Sequence, residues 1–470
     1  MNSPRRTFLK YASAGGLAYA LGKTAGSGFA QMTGIGGFSD YRALVCVFLF
    51  GGNDSWNMIV PTSAAEYNSY AKSRGAGTTS SLALDRASLL PISLVGASAS
   101  DPTFGFNSNM PEMRDLFSAG RLAVIPNVGP LIRPTTKAQY QSASTTGHEL
   151  PPQLFSHNDQ QDQWHSLSGR ALLNTGWAGR VADALAAQTG SQQIPLNVSL
   201  SGQTLFQASQ VTDPYVMGGG GVNAFNFLTC CGPFMNRRMT VDSSLSAAAG
   251  STRNSIYHRG YARVQQRAIR YADLLKRALD GSRDFKALPA SSGTQASYLT
   301  TQLRTVAKMI SQRSILSMSR QIFFVSIGGF DTHDTQLVDH PKLLADVSKS
   351  IKAFYDSMVE IGLERQVTVF TQSDFGRTLT SNGDGSDHGW GGTQMAIGGA
   401  VLGGRFFGKY PLLEMGGELE IGNGNIIPTV SSDQYAATLA RWFGVADSSI
   451  STVTPSIINF PQRDLGFMGG

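Results

Sequence analysis

Acidic and histidine side chains follow three apolar segments of this chain of 470 residues. The segments are 44–50, 321–327 and 367–371, and each is followed within a few residues by glycine or serine and then by an acid. Carboxylate oxygens and imidazole nitrogens are protein ligands of divalent ions. We therefore predict a site for one or two divalent ions, with zinc, manganese, magnesium and calcium all admissible. Its predicted ligands are Asp54, Asp331, His333, Asp374, Asp387 and His388.

The loop that carries His388 is rich in Gly, Ser and Asn and has no apolar periodicity. Because such a loop buries little, folding alone does not explain its histidine, and His388 is the best single ligand candidate. The other candidates also admit structural roles. These are a tight turn at Asp54, a cap at Asp331 and His333, and a buried ion pair between Asp374 and Arg377.

Strands that end at one edge of a sheet would bring these side chains together. Periodicity predicts strands at 43–50, 122–128, 321–327, 367–371 and 395–402, and helices at 110–119, from 176, and at 256–279, 294–314, 341–361 and 433–445. An open α/β sheet builds its site beyond the carboxyl ends of its parallel strands, so the acids should converge there. The alternation predicts a doubly wound α/β fold with a mostly parallel sheet and helices on both faces. Residues 31–470 are expected to form one domain with an inserted subdomain at about 165–315.

The first thirty residues have the features of a twin-arginine export signal. The segment SPRRTFLK is followed by a mildly apolar run and by small residues before position 30. The run is too short and too weakly apolar for a stable membrane span. We therefore predict a periplasmic or secreted protein that passes through the twin-arginine export machinery. An N-terminal helix with a chance arginine pair is the alternative.

The charge balance indicates no polyanionic partner for the mature chain. The formal net charge of +6 includes four basic and no acidic side chains in residues 1–30, so the mature chain is close to neutral. This excludes nucleic acid as an expected partner, and the basic side chains at 266–277 are expected to form a solvated helix face. Cys46 is expected to be buried in a strand, and the redox state of Cys230 and Cys231 stays open.

Several motifs resemble, in the same order, those of a bacterial family of twin-arginine-exported proteins, domain of unknown function 1501 (DUF1501). They are LFGGNDSWNMIVPT, AGRLAVIPNVG, SHNDQQDQW, TGWAGR, GGFDTH, SDFGRT, SDHGWGG and SSDQYAATLARWFGV, and they span nearly the whole mature chain. The family is grouped with the alkaline phosphatase and sulfatase superfamily. The resemblance implies an alkaline phosphatase-like fold more firmly than any activity, because one fold hosts many functions.

The resemblance also implies roles for single residues. Asp54 resembles the metal-binding acid after the first strand, and Asp374 resembles the acid of an Asp-His dipeptide. However, Phe375 stands where phosphatases have the histidine, and this departure puts one ligand in doubt. Asp331 and His333 resemble the middle ligand pair, His388 resembles the late histidine, and Asp387 is a replacement for the missing ligand.

The nucleophile and the substrate-binding residues are transferred in the same way. Ser156 is the nucleophile candidate, and Ser55, directly after Asp54, is the alternative. Arg377 is expected to assist catalysis by holding the non-bridging oxygens, and Asn53 and His157 are expected to bind substrate. His157 also has two other readings, as a metal ligand and as a helix cap. The sequence lacks Cys-x-Pro-Ser-Arg, which argues against a formylglycine sulfatase.

Together these features predict an exported, metal-dependent hydrolase of phosphate or sulfate esters. Its substrate would be a small-molecule or polysaccharide ester. The alternative is a non-catalytic periplasmic or cell-envelope scaffold or binding protein that retains the superfamily fold. A transferase of phosphoethanolamine-type groups is a third and weaker alternative.

Overall fold

The computed structural model of the chain describes residues 37–170, 173–222, 235–288 and 296–469. A nine-stranded sheet forms its centre, in the order β13-β5-β12-β9-β1-β8-β6-β7, and β14 also pairs with β5. These strands are β1 (Arg42–Leu49), β5 (Leu122–Gly129), β6 (Asn197–Ser199), β7 (Tyr215–Val216), β8 (Arg320–Ile327), β9 (Val367–Ser373), β12 (Gly392–Ile397), β13 (Arg405–Phe406) and β14 (Val430–Ser431). All of them run in one direction except β12, which is antiparallel to β5 and β9.

Two smaller sheets lie beside the central one. The first pairs β2 (Ile59–Pro61) and β3 (Leu90–Ile92) with β4 (Phe104–Phe106), and the second is the hairpin of β10 (Arg377–Ser381) and β11 (Ser386–His388).

The helices that the structure describes are α1 (Ala64–Ser73), α2 (Pro111–Ser118), α3 (Lys137–Gln141), α4 (Ala143–Thr146), α5 (His157–Ser166), α6 (Trp177–Ala184), α7 (Ala186–Thr189), α8 (Met235–Gly250), α9 (Ile256–Asp280), α10 (Tyr298–Ser311), α11 (Gln336–Glu360), α12 (Ser432–Phe443) and α13 (Asp447–Val453). Short 3₁₀ helices lie at Arg86–Ser88, Leu205–Gln207 and Pro455–Asn459. None of the described helices is both long and apolar enough to cross a membrane.

Two apolar cores cover the two faces of the sheet. Alternate residues of β1 enter one core with α10 and α11, and the residues between them enter the other with α6, α12 and α13. Side chains alternate across a strand, so a central strand that is buried on both faces must be apolar throughout. The prediction of a doubly wound, mostly parallel sheet with helices on both faces is confirmed.

The three strands with acids at their ends are neighbours. Strand β1 lies between β8 and β9, and Leu49 at its end is level with Ile327 and Ser373. The turns that follow therefore start side by side at one edge of the sheet. This edge is the carboxyl edge on which the predicted site depended.

Other elements differ from the predictions in detail. Helix α11 begins at Gln336, so Pro341 lies inside it rather than at its start. A proline there removes one backbone hydrogen bond, and the buried Gln336 side chain ties the extra turn to Asp54 and Ser386. Within the predicted insert, β6 and β7 extend the central sheet beyond β8.

The predicted signal peptide and the Cys230–Cys231 pair lie outside the described residues.

Candidate metal centre

Two glycines after β1 allow the three strand-end turns to pack closely. Gly51 and Gly52 have φ values of +112° and +83°, in the left-handed region that favours glycine. A Cβ atom at Gly51 would overlap the backbone nitrogen of Asp331, and one at Gly52 would overlap the ring of Phe375. The turn after β1 therefore supports the turns after both neighbouring strands.

Three imidazoles surround one carboxylate oxygen at this edge. Oδ1 of Asp331 lies 3.1 Å from Nε2 of His333 and 3.4 Å from Nε2 of His157. The third imidazole, His388, has its Nε2 atom 3.5 Å from the same oxygen and 2.8 Å from Nε2 of His333. Ligands about 2.0–2.1 Å from a tetrahedral zinc ion are about 3.3 Å apart. The separations of 3.1–3.5 Å from Oδ1 of Asp331 are close to this spacing.

The imidazole of His157 is oriented by Asp374. Its Nδ1 atom lies 2.6 Å from Oδ2 of Asp374, which also accepts hydrogen bonds from Nε2 of Gln161 at 2.8 Å and from the amide of Gly51 at 3.2 Å. Asp374 is fully buried. Its carboxylate therefore fixes both the ring plane of His157 and the direction in which Nε2 points.

The other two imidazoles are held in the same way. Nδ1 of His388 lies 2.7 Å from the carbonyl oxygen of Phe155, and Nδ1 of His333 lies 3.1 Å from Oδ1 of Asp387. Histidines that bind metals usually donate their second ring N–H to a carboxylate or a carbonyl. All three Nε2 lone pairs can therefore face the centre of the cluster.

The sequence predicts a metal ion at this edge, and a buried atom of the cluster tests whether the residues fit one. Nε2 of His157 is buried and has no hydrogen-bond partner among the described residues. His157, Asp331 and His388 each offer one ligand atom, and these atoms all lie within 4.8 Å of one another. An unsatisfied buried nitrogen is costly unless a partner completes it, so this donor set fits a divalent cation.

Charges within the cluster shift its protonation equilibria. The hydrogen bond that His157 donates to the Asp374 carboxylate raises the pKa of His157. Burial lowers the pKa of His388, and the neighbouring His157, Arg377 and His333 lower it further. Burial alone would raise the pKa of Asp331, but the hydrogen bond and charge of Arg377 bring it below its usual value. At neutral pH the cluster therefore offers a carboxylate and a neutral His388.

Comparison with known proteins assigns the chain to a family. The family model described as "Protein of unknown function (DUF1501)" matches residues 41–430. The chain belongs to the DUF1501 family. A search of curated proteins finds no match to the sequence.

Solved structures resemble this DUF1501 chain only distantly. "Ps i-CgsB" is 9% identical over 91% of this chain and 78% of its own, with a TM-score of 0.37. The lipoteichoic acid synthase LtaP from Listeria monocytogenes is 8% identical over 87% and 73%, with a TM-score of 0.32. The PsFucS1 sulfatase from Pseudoalteromonas sp. is 11% identical over 100% and 75%, with a TM-score of 0.33. We infer nothing about activity from similarities of this size.

The structure brings together His333, His388 and Asp331 of the predicted ligands, and it adds His157. Sequence reasoning assigned His157 chiefly to substrate binding, with a ligand role as one of two other readings. His157 is the first residue of α5 and does not follow a strand. Gln161, one turn further on, bonds the same carboxylate as His157, and this i, i+4 pair was a signal that the sequence contained.

Asp54 does not join the cluster, which corrects its placement among the ligands. Its carboxylate forms a fully buried ion pair with Arg74 and also accepts a hydrogen bond from Gln336. Arg74 in turn donates to the carbonyl oxygen of Thr378 at 2.9 Å. Asp54 therefore ties α1, α11 and the β10 segment together. No feature of the sequence pointed to Arg74 as its partner.

Asp374 and Asp387 lie behind the histidines rather than among the ligand atoms. Each orients an imidazole through Nδ1, at 2.6 Å and 3.1 Å respectively. Asp54 and Asp374 each retain one buried Oδ1 atom without a partner among the described residues. Of the four acids and two imidazoles predicted as ligands, the cluster contains Asp331, His333 and His388, and His157 is added to them.

Arg377 and Asn53 both bond to other residues of the protein. Arg377 is buried and donates to the carbonyl oxygens of Gly51, Gly52 and Ser386 as well as to Asp331. The buried amide group of Asn53 bonds the imidazole of His340 and the sulfur of Met58. Both residues position the turns, and their expected roles in catalysis and substrate binding stay predictions.

The two nucleophile candidates differ in access. Ser55 is buried, and its Oγ atom accepts the amide of Thr393 at 2.8 Å. Ser156 precedes α5, is half-buried, and donates from Oγ to Asp159 at 2.6 Å. Its neighbours Phe155 and His157 both belong to the cluster. Ser156 is therefore the candidate that an ester can reach.

Phe375 forms an apolar wall of the cluster. Its ring centre lies 4.8 Å from that of His157 and 4.7 Å from that of His388. His333 and His388 line a cavity of about 500 Å³, and Tyr140 and Asn425 also line it. A substrate can therefore reach the cluster through this cavity.

Proposed function

We propose that the protein is an exported, metal-dependent hydrolase of phosphate or sulfate esters. The observation that supports a metal is that three imidazoles point their Nε2 atoms at one oxygen of Asp331. Each imidazole is fixed through its Nδ1 atom by a separate acceptor. Packing alone does not readily explain three contacts between an imidazole Nδ1 atom and an acceptor, because each contact removes polar groups from water.

The ion would be held by His157, His388 and Asp331, with His333 as a fourth ligand. Zinc and other ions that accept imidazole nitrogen suit this set, whereas magnesium and calcium prefer oxygen ligands. A divalent ion there polarises an ester oxygen and lowers the pKa of a nearby hydroxyl group or water.

The chain itself supplies orientation, a nucleophile and an acceptor for its proton. In this proposal Oγ of Ser156 forms a bond to the phosphorus or sulfur atom while the bond from that atom to the alcohol oxygen of the ester breaks. Asp159 accepts the hydroxyl proton through the 2.6 Å hydrogen bond, and the alcohol leaves with a proton from water. Water then hydrolyses the serine ester, which releases phosphate or sulfate and restores the hydroxyl group of Ser156. Ser156 also stands at the N-terminus of α5, where the helix dipole favours negative charge. Arg377 keeps Asp331 ionised and in place rather than contacting the ester.

A non-catalytic scaffold with a structural metal is the second candidate. One observation favours it, which is that four protein side chains converge on the centre. Structural zinc sites have four protein ligands, whereas catalytic sites keep one position open. The role of His333 distinguishes the two candidates. If its half-exposed ring does not bind the ion, one coordination position stays open for a substrate.

The test is metal content and ester hydrolysis of the purified mature chain. Aryl phosphate, phosphodiester and aryl sulfate substrates are supplied with zinc, manganese, magnesium or calcium. We expect hydrolysis of at least one ester class, loss of metal and turnover in His157→Ala and His388→Ala, and metal retained without turnover in Ser156→Ala. The exposed His258→Ala is the matched control and should change nothing. A metal-bound chain that hydrolyses none of the esters would favour the scaffold, and a metal-free chain would refute both.

Export rests on the sequence of residues 1–30 and is tested separately. A variant with Arg5→Lys and Arg6→Lys should stay in the cytoplasm, because the arginine pair is the part of the signal that the export machinery recognises. Cell fractionation and the mass of the mature chain measure this. Normal export of the double variant would overturn the assignment.

A further inference from the structure

The helices α8 and α9 expose apolar side chains to an unusual degree. They pack against each other as an antiparallel pair, with Arg238 bonded to Asp273 and Gln266 bonded to Ser246. Large apolar side chains are nevertheless exposed on this hairpin, by 72% at Met239, 64% at Ile256, 84% at Tyr257, 66% at Tyr261 and 50% at Val264. A group of this size on one hairpin indicates a surface that binds something.

The same hairpin concentrates positive charge. Residues 235–280 hold nine Arg and Lys and three Asp, a net charge of +6. Apart from residues 1–36, which hold four basic side chains, the rest of the chain has 25 basic and 29 acidic side chains, a net charge of −4. The net charge of the mature chain is nearly zero, but positive charge is concentrated on the hairpin and the rest of the chain is negative.

The aspartates of the hairpin do not balance its positive charge, and Arg267 pairs with Asp213 outside it at 2.9 Å. Its three aspartates, Asp242, Asp273 and Asp280, are already paired with Arg238 and Lys276. The exposed Arg263 and Arg270 form no ion pair with any residue that the structure describes. These cations are available to an external anion.

The apolar and basic side chains lie on adjacent stripes of α9. Tyr257, Tyr261 and Val264 follow the i, i+4, i+7 spacing of one helix face. Arg263, Arg267 and Arg270 follow the same spacing on the next face. Ala262, Ile269, Ala272 and Leu275 of α9 are buried against the protein.

We propose that this hairpin docks on an anionic lipid bilayer, with the exposed apolar stripe at the level of the headgroups. Tyrosine and apolar side chains insert into the headgroup region while arginines beside them bind acidic headgroups. Charge complementarity is the argument for an acidic surface. The exposed Ile256 and Met239 favour a bilayer over an acidic polysaccharide, which offers no apolar phase.

The test is co-sedimentation of the mature chain with vesicles. Vesicles of phosphatidylcholine with one quarter phosphatidylglycerol should bind the protein, and pure phosphatidylcholine should bind it weakly. Each cation near such a surface contributes a factor of about 5, so Arg263→Gln with Arg270→Gln should lower the partition coefficient about 30-fold at low salt. Tyr257→Ser with Tyr261→Ser should lower it about tenfold, because two rings are withdrawn from the interface. Metal content and ester hydrolysis in solution should not change, which separates this proposal from the enzymatic one.

Matched controls are charge and apolar changes elsewhere on the surface. Arg405→Gln with Arg463→Gln removes the same charge from exposed positions, and Ile315→Ser removes an apolar side chain that is 67% exposed. Both should bind vesicles as the wild type does. Equal binding by the hairpin variants and the controls would overturn the proposal. A dimer that sedimentation velocity detects in the wild type but not in Tyr257→Ser would also overturn it. Binding to heparin without binding to vesicles would do the same.

Discussion

Replacing Asp374 by Asn distinguishes an orienting carboxylate from a metal ligand. The change keeps the size of the side chain but removes the charge that accepts Nδ1–H of His157 at 2.6 Å. Loss of such an outer-sphere partner lowers metal affinity by about 10- to 100-fold, which is about 1.4–2.7 kcal/mol. The upper part of this range is expected here, because the contact is short, charged and fully buried. Asp387→Asn acts on the longer, exposed 3.1 Å contact with His333 and should fall in the lower part.

The assay is competition with a zinc chelator, monitored for the wild type and both variants, with thermal unfolding as the control for folding. The expected order of dissociation constants is wild type, then Asp387→Asn, then Asp374→Asn. If Asp374 were itself a ligand, its variant would bind no metal at chelator concentrations that leave Asp387→Asn loaded. An unchanged affinity in both variants would show that neither carboxylate orients an imidazole of the site.

Three further predictions follow from buried features of the fold. Gly51→Ala should destabilise the protein by about 1–3 kcal/mol and weaken metal binding, because its Cβ would displace Asp331; denaturant unfolding and chelator competition measure the two effects. Arg74→Met should cost about 3–5 kcal/mol by leaving Asp54 charged and buried, and adding Asp54→Asn should recover part of that loss in the same unfolding assay. Burial lowers the pKa of His165 to about 3, so protonation of this side chain favours the unfolded chain. The free energy of unfolding is therefore highest above pH 6.5 and decreases as the pH falls toward 3. By pH 5 this loss is about 2 kcal/mol, and His165→Leu should show a correspondingly flatter pH dependence of unfolding.

The sheet edge was predictable from the sequence because its signals are local. Each of β1, β8 and β9 is an apolar run followed by a turn with an acid, and apolar residues throughout a strand specify a central position. Adjacency then follows from the parallel topology. The same reasoning correctly placed Asp331, His333 and His388 at one edge.

The roles of the individual acids were not predictable, because they depend on contacts between distant segments. Asp374 accepts from His157, which is 217 positions away, and Asp54 pairs with Arg74 at the end of α1. A carboxylate that binds an ion and one that orients an imidazole occupy similar positions in a sequence. Only the placement of α5 against β9 distinguishes them.

The positive charge of the hairpin was not predicted from the net charge of the whole chain. A net charge close to zero for the mature chain implied no acidic partner, and Lys276 and Arg277 looked like ordinary solvated side chains. The folded chain separates its charges by segment, so the total says little about any one surface. The exposure of Tyr257 and Tyr261 beside Arg263 depends on how the whole chain folds, and no local pattern in the sequence predicts it.

The most direct test of the metal site is anomalous diffraction from crystals of the mature protein, recorded at the absorption edge of the metal that elemental analysis finds. The account predicts one peak per chain, within bonding distance of Nε2 of His157, Nε2 of His388 and Oδ1 of Asp331. A peak held by the carboxylates of Asp54 and Asp374 instead, or no peak from a protein that hydrolyses esters, would contradict it.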